Sequence, residues 1–387
     1  MEKIDTPVVF YRGIFKRSAS TADAVFMITG MTIGAGILGL PYTVAKVGLA
    51  IGLLYIVLLG LIMLTLNLMI GDVAVRAGEP LQLPGLAGKY LGRWPKFILS
   101  LTLILTSVGV LLAYLIGEGD SLAALFGGNS LMWTVVFWLA GSLLIWGGLQ
   151  RVRVAEKILG FLVIVAIVIL SLVLLPRFNP VNLYYLNAAD LFLPFGVILF
   201  ALHATPAIGE AHALVASPKH FRRAVIIGTL IPITVYCLFA LSVVGWQGLS
   251  TTPVVTIGLG EQFGAVAGIV ANLFAVIAMG TCFMGYGTAL REILVWDHHW
   301  PEALAILFVI LVPLALYLVG WRNFITILDW VGSFFIALIA IIMAAVYVVA
   351  RRSSSSREKV HTWLAALPVF VFFGILMAYS IYTLVLH

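Results

Sequence analysis

Apolar runs long enough to cross a lipid bilayer follow one another down almost all of this 387-residue chain. A membrane-spanning helix needs about 20 mostly apolar residues in a row. Eleven such runs can be marked, at about 20–46, 48–75, 97–118, 131–149, 154–175, 189–213, 223–246, 263–290, 302–319, 323–349 and 363–386. They leave no room for a separate soluble domain. Only 10% of the residues are charged, against about 25% in an ordinary soluble domain. In lipid every backbone polar group must be satisfied internally, so only helices or a closed barrel can span. Runs of this length exclude the barrel, whose strands are alternating segments of about ten residues. The chain is expected to be an all-α membrane protein with about eleven transmembrane helices.

The charges sort by loop. Of the 22 lysines and arginines, nineteen lie at the N-terminus or in alternate connections, and only Lys46, Arg177 and Arg322 lie in the other set. Basic residues collect on the cytoplasmic side. The segment 1–19 is therefore expected to be a cytoplasmic tail, with the C-terminus outside. The first apolar run is too long for the core of a cleaved signal. The basic pI of about 9.3 thus reports topology. The lipid bilayer is the implied partner, and nucleic acid is not. Cys237 and Cys282 fall in different apolar runs, so neither a disulfide nor a metal site is expected.

Two runs carry residues that interrupt a helix. The stretch TGMTIGAGILGLPYTVAKVG, residues 29–48, holds five glycines and Pro41. Unpaired backbone at membrane depth is tolerated only where protein buries it or where it lines a cavity. Gly34-Ala35-Gly36 is the expected break, because it lets the chain unwind and lets a ligand reach bare backbone. The half-helix that restarts offers free N–H groups and a positive dipole end, which suit a carboxylate. The half-helix that ends offers carbonyls, which suit an ammonium group or a cation. Small residues four apart, such as Gly30 and Gly34, also serve close helix packing, and this stretch alone does not choose between the two. The sixth run, LPFGVILFALHATPAIGEAH, adds His203, Ala204, Thr205 and Pro206 near its centre. Pro206 lacks the N–H of a continuing helix. It suits the first position of a new half-helix, with Thr205 as the cap. Interruptions in corresponding positions of two halves point to a secondary transporter with its site at the midplane. The expected organisation is a tail (1–19), a first five-helix repeat (20–175), an inverted second repeat (189–349), a cytoplasmic loop (350–362) and an eleventh helix (363–387).

GAGILGLPYTVAKVG resembles the first-helix motif of the amino acid/auxin permease family and of the bacterial tryptophan/tyrosine permeases. Both belong to the amino acid–polyamine–organocation superfamily. FALHATPAIGEAH resembles that family's sixth helix, where a histidine precedes a proline and an acidic residue, here His203, Pro206 and Glu210. The likeness in helix count and order extends over residues 20–386. It implies a LeuT-type fold with discontinuous helices 1 and 6. It also implies cation-coupled uptake of an amino acid across the plasma (inner) membrane of a prokaryote. By the same resemblance, backbone at Gly34, Ala35 and Gly36 would hold the substrate carboxylate. The carbonyls of Thr32, Leu202 and His203 would take its ammonium group, with Thr205 nearby. Tyr114 would close over the carboxylate, although an aromatic near the outer interface is an equal reading.

Sodium in related transporters would sit between the carbonyls of Gly30 and Ile33 and the eighth-helix groups of Ala278, Thr281 and Cys282. Cys282 stands where the family pattern has a second hydroxyl, and a thiol is a poor ligand for a hard cation. Some proton-coupled relatives place a fifth-helix lysine there. Here Lys157 lies at the cytoplasmic end, and an apolar residue near Val163 takes the position. Sodium and proton both stay open as the coupling ion, and no cofactor beyond that is implied.

His203 titrates near neutral pH and is expected to be functional at membrane depth, in proton coupling or in substrate contact. Asp329 has two readings, a part in an outer gate or an interfacial carboxylate paired with Arg322 one heptad earlier, and the pairing is the one expected. Ala201, Leu202, Phe334 and Phe335 suggest an apolar pocket for a neutral amino acid, large or aromatic. The Ala77–Pro95 connection is the longest on the inside and could help gate it. The run Ser353–Ser356 reads as a linker. GEGD, residues 117–120, matches the Gly-x-Gly-Asp pattern of intramembrane aspartyl proteases. That chemistry needs a second, facing aspartate, and no Tyr-Asp motif occurs in the chain. GEGD is instead expected at the outer end of the third helix. A channel would show rings of charge or a repeated filter, and neither appears. The reading is a transporter and not an enzyme.

Overall fold

The computed structural model describes residues 21–78, 81–147, 150–215, 217–263, 265–352 and 356–386. The tail 1–19 and most of the serine run lie outside these residues. Regular structure within them is all helical. α1 (Thr21–Thr32) and α2 (Gly36–Val47) flank the glycine break and are bent by 57°. α3 (Leu49–Ala77), α4 (Leu83–Leu91), α5 (Arg93–Phe126), α6 (Ser130–Gly147) and α7 (Gln150–Leu174) follow. α8 (Leu193–Ala201) and α9 (Thr205–Leu214) flank the second break. Then come α10 (Pro218–Gln247), α11 (Val255–Phe263), α12 (Ala265–Glu292), α13 (Glu302–Val319), α14 (Phe324–Trp330), α15 (Ala337–Ala350) and α16 (Ser356–Leu386). A π-helical turn, Val331–Ile336, joins α14 to α15.

Among the described residues nine helical stretches are long and apolar enough to cross a bilayer, and the bent α1–α2 pair makes a tenth. The apolar stretch of α6, Ser130–Trp146, is shorter. The two broken segments sit at the centre. Of the apolar window in α8–α9, 78% is buried inside the protein, against 22% in α16. α1 packs on α10 and α9, α2 on α8, and α5 on α12. Apolar side chains gain nothing by leaving lipid for one another, so such contacts depend on close approach. At Gly36 a Cβ atom would stand 2.5 Å from the Cα of Ala201, so the α2 and α8 backbones touch there.

Helix ends moved where packing overrode the local signal. α5 runs on to Phe126, through the GEGD stretch expected to end it. Glu118 and Ser121 are fully buried there, and Gly119 lies against Thr134 of α6. A polar run marks a helix end only where water receives it. α16 starts at Ser356, about two turns before the expected helix. α4 occupies the 77–95 connection and α11 precedes α12, each too short to stand out as a span. Gly48, at φ 110°, turns α2 directly into α3. That left-handed region costs a side-chain-bearing residue and favours glycine.

Candidate functional site

α1 stops at Thr32, whose hydroxyl donates back to the Ile28 carbonyl at 2.6 Å. The chain then unwinds, with Gly34 N–H reaching the Thr32 carbonyl at 3.1 Å, and α2 resumes with Leu38 N–H on the Ala35 carbonyl at 3.0 Å. The first N–H groups of α2 have no partner within the helix. At the second break the last turn of α8 closes with Leu202 N–H on Ile198 (2.9 Å) and His203 N–H on Phe200 (3.2 Å). α9 restarts with Ala207 N–H on Ala204 at 3.0 Å. Ala204, not Thr205, is the cap residue, and no side chain caps this end. Thr205 and Pro206 instead fill the first two helical positions, where a missing N–H costs nothing.

The two breaks are tied together by a residue that sequence reasoning passed over. Tyr236 of α10 reaches the Thr32 carbonyl at 2.8 Å and the Ala201 carbonyl at 2.9 Å with its hydroxyl. Tyr114 is buried in α5 rather than placed at an interface. A Cβ on Gly34 would meet the Tyr114 hydroxyl at 2.6 Å and the Cys282 sulfur at 3.1 Å, so both groups lie against the first break. Cys282 Sγ approaches the carbonyls of Ile33 at 3.7 Å and Gly30 at 3.9 Å. Thr281, beside it on α12, donates its hydroxyl to the Ala278 carbonyl at 2.9 Å.

A cavity of about 340 Å³ leads to this point. Gly30 and Ile33 line it from the α1 side, Gly160 and Val163 from α7, and Thr281 and Cys282 from α12. Asp23 of α1 and Glu210 of α9 line it as well. The five residues expected around an ion thus come together: four line the cavity, and Ala278 lies one turn away on α12. Val163 occupies the α7 wall, as expected, and the Lys157 side chain is outside the described set. At the second break, His203 and Thr205 are buried. His203 Nε2 and Thr205 Oγ1 have no hydrogen-bond partner among the described residues. Buried polar atoms are nearly always bonded, so these two fit a ligand at the break.

Residues 17–383 match the tryptophan/tyrosine permease family. The chain belongs to that family. Among its relatives, "Tyrosine-specific transport system 2" of Haemophilus influenzae is 28% identical over 81% of this chain and 83% of its own. "Glutamine transporter 2" of Aliivibrio fischeri is 23% identical over 92% and 98%. Of solved structures, MhsT in complex with L-phenylalanine superposes with a TM-score of 0.70 at 14% identity, covering 94% of this chain and 99% of that one. The manganese transporter of Eremococcus coleocola gives 0.66 at 13% identity, over 92% and 85%. The fold of this permease-family chain is LeuT-like, and the chain is a membrane protein.

A further expectation fails in this permease-family chain. Asp329 does not pair with Arg322. The Arg322 guanidinium donates to the Tyr317 carbonyl at 3.1 Å and lies over the Tyr317 ring. The Asp329 carboxylate turns inward onto the backbone of Gly196 in α8. The heptad argument needs one continuous helix, but α14 begins only at Phe324, capped by Asn323. Phe334 and Phe335 stand half-buried on the π turn, away from the cavity beside Cys282. Ala201 and Leu202 are buried at the second break. The second residue that sequence reasoning missed is Glu118, read as part of a helix end and found wholly buried.

Proposed function

We propose that this chain is a secondary active transporter that imports a neutral amino acid, large or aromatic in side chain, by alternating access. The observation that carries this reading is the Tyr236 hydroxyl touching both helix breaks at once. It ties the carbonyl ends of α1 and α8 to one point, beside the N-terminal N–H groups of α2, as both ends of an amino acid require. In this reading backbone at Gly34, Ala35 and Gly36 holds the carboxylate beneath Tyr114. The carbonyls of Thr32, Leu202 and His203, with Thr205, receive the ammonium group. The names of the relatives agree: tyrosine-specific systems, a glutamine transporter, and a fold neighbour that holds phenylalanine. Glutamine argues for a neutral class wider than the aromatic one.

The eleven-crossing count adds α6 to the nine spans and the bent pair. It goes with two inverted five-helix repeats, with membership of the amino acid–polyamine–organocation superfamily, and with a plasma-membrane location. The basic residues favour a cytoplasmic N-terminal end for α1. The cavity lined by Asp23 and Glu210 then faces inward.

A proton is the better supported coupling ion. The second α12 group facing the first-break carbonyls is sulfur, where a hydroxyl would serve a hard cation. Sodium prefers oxygen. The sodium reading keeps one observation in its favour, the convergence of Gly30, Ile33 and Thr281 on one cavity. Uptake of labelled tyrosine, phenylalanine and glutamine into proteoliposomes tests both. Accumulation under a proton gradient without sodium is expected. Accumulation that needs sodium and disappears in Thr281→Ala would reverse the choice of ion. Conduction that neither saturates nor responds to a gradient would overturn the transporter.

A further inference from the structure

Glu118 is a carboxyl group for which the reading above has no task. It lies in α5, one helical turn or about 6 Å beyond Tyr114, and is 0% exposed. Neither of its oxygens has a hydrogen-bond partner among the described residues. A carboxylate there would leave every lone pair empty in a low-dielectric interior, one of the costliest states a fold can hold. The neutral acid escapes most of that cost. Among the described residues the packing around it offers a charge no compensation.

α12 presents Gly280, where a Cβ would stand 3.3 Å from Glu118 Oε1 and 3.8 Å from Phe137 of α6. α6 carries no ionisable side chain from Ser130 to Gly147. The Thr134 hydroxyl on α6 is given to the Leu115 carbonyl at 3.3 Å. Described ionisable groups on other helices packed against α5 have partners elsewhere; Lys89 of α4, for one, donates to the Ala77 carbonyl at 2.7 Å. Cys282 and Tyr286 of α12 border the cavity. Arg291 at the end of α12 pairs with Glu302 of α13. Asp329 of α14 faces Gly196. On α5 itself Asp120 bonds to Ser130. Glu261 of α11 has its side chain outside the described set.

Gly280 immediately precedes Thr281 and Cys282, which line the cavity. A change of charge at Glu118 therefore bears on the turn of α12 that borders the cavity. We propose that Glu118 is a proton-binding site of the transport cycle. It is neutral in this packing, and it exchanges its proton with water when the transport cycle brings water to the turn of α12 beside Gly280. On release the carboxyl O–H bond breaks, the proton passes to water as hydronium and the carboxylate stays on the chain. Rebinding reverses each part. The proposal rests on the transporter reading and names the residue through which a proton gradient acts.

Glu118→Gln keeps the size and neutrality of the protonated acid, so it is the variant to make. Proteoliposomes give two transport measurements: counterflow of labelled tyrosine, which needs no gradient, and uptake under an imposed pH gradient. E118Q is expected to keep counterflow and to lose accumulation above equilibrium, and Glu118→Asp to regain part of it. A carboxylic-acid C=O infrared band in the wild type, absent from E118Q, reports the bound proton without any substrate. Wild-type accumulation by E118Q, or the lack of that band in the wild type, overturns the proposal. Wild-type protein that shows no counterflow with any amino acid brings down the transporter reading instead, and the infrared band still decides whether Glu118 holds a proton.

Discussion

The Tyr236 hydroxyl has one hydrogen and two carbonyls in reach, Thr32 at 2.8 Å and Ala201 at 2.9 Å. An ammonium group arriving at Thr32 competes for one of them. Tyr236→Phe strips both carbonyls of this donor in a buried place. An unsatisfied buried acceptor costs about 1–3 kcal/mol, so the variant is expected to unfold at a lower temperature in detergent. Substrate should restore more stability in Y236F than in the wild type, because its ammonium supplies the missing donor. Equal substrate stabilisation in the two proteins would place the ammonium elsewhere. Residues of this kind were hard to read in the sequence. Gly34, Gly36 and Cys282 were legible because they break a pattern, glycine inside an apolar run or sulfur in a hydroxyl's place. A tyrosine in an apolar helix breaks none, and its partner Thr32 is 204 positions away. Glu118 was visible but misread, since a carboxyl among glycines looks like a helix end until α6 and α12 close over it.

Spanning helices are the most legible elements, because lipid imposes their length and apolarity. The two breaks were legible for the converse reason, since glycine, proline and polar residues at membrane depth need a purpose. Ends were less so. Nothing local separates GEGD inside α5 from GEGD at its end, and only the facing helices decide. The contact between α2 and α8 is also decided across the fold. Gly36 lies on the Cα of Ala201, and a side chain there would meet it at 2.5 Å. Forcing one methyl into packed backbone costs about 1–3 kcal/mol. Gly36→Ala is therefore expected to lower the unfolding temperature and to reduce uptake sharply. Gly30 has nothing within 4 Å of a Cβ position, so Gly30→Ala should leave stability near the wild type. Alanine is the better helix former, so equal losses at both positions would mean that the close approach to Ala201 is not what sets the stability of this segment.

The ends of α3 and α15 meet through Arg351, whose guanidinium lies 2.7 Å from the Tyr347 hydroxyl and 3.9 Å from Asp72. The two helices belong to different proposed repeats, yet these ends share one side. In the orientation proposed from the basic residues both ends are cytoplasmic, and the cavity lined by Asp23 and Glu210 would open there. Cys282 lines that cavity, while Cys237 sits half-buried on α10. A thiol reacts as its thiolate, which needs water, so the labelling rate at Cys282 reports which side wets the cavity. In a Cys237→Ser background, a membrane-impermeant maleimide applied to inside-out vesicles is expected to label Cys282. The same reagent applied from the outside should label it slowly. Substrate that favours closure should slow the inside reaction. Labelling that is fast from the outside and slow from the inside would invert the topology read from the lysines and arginines. It would leave the helix breaks and their contacts as they stand, and the cavity would then be an entrance for substrate instead of an exit.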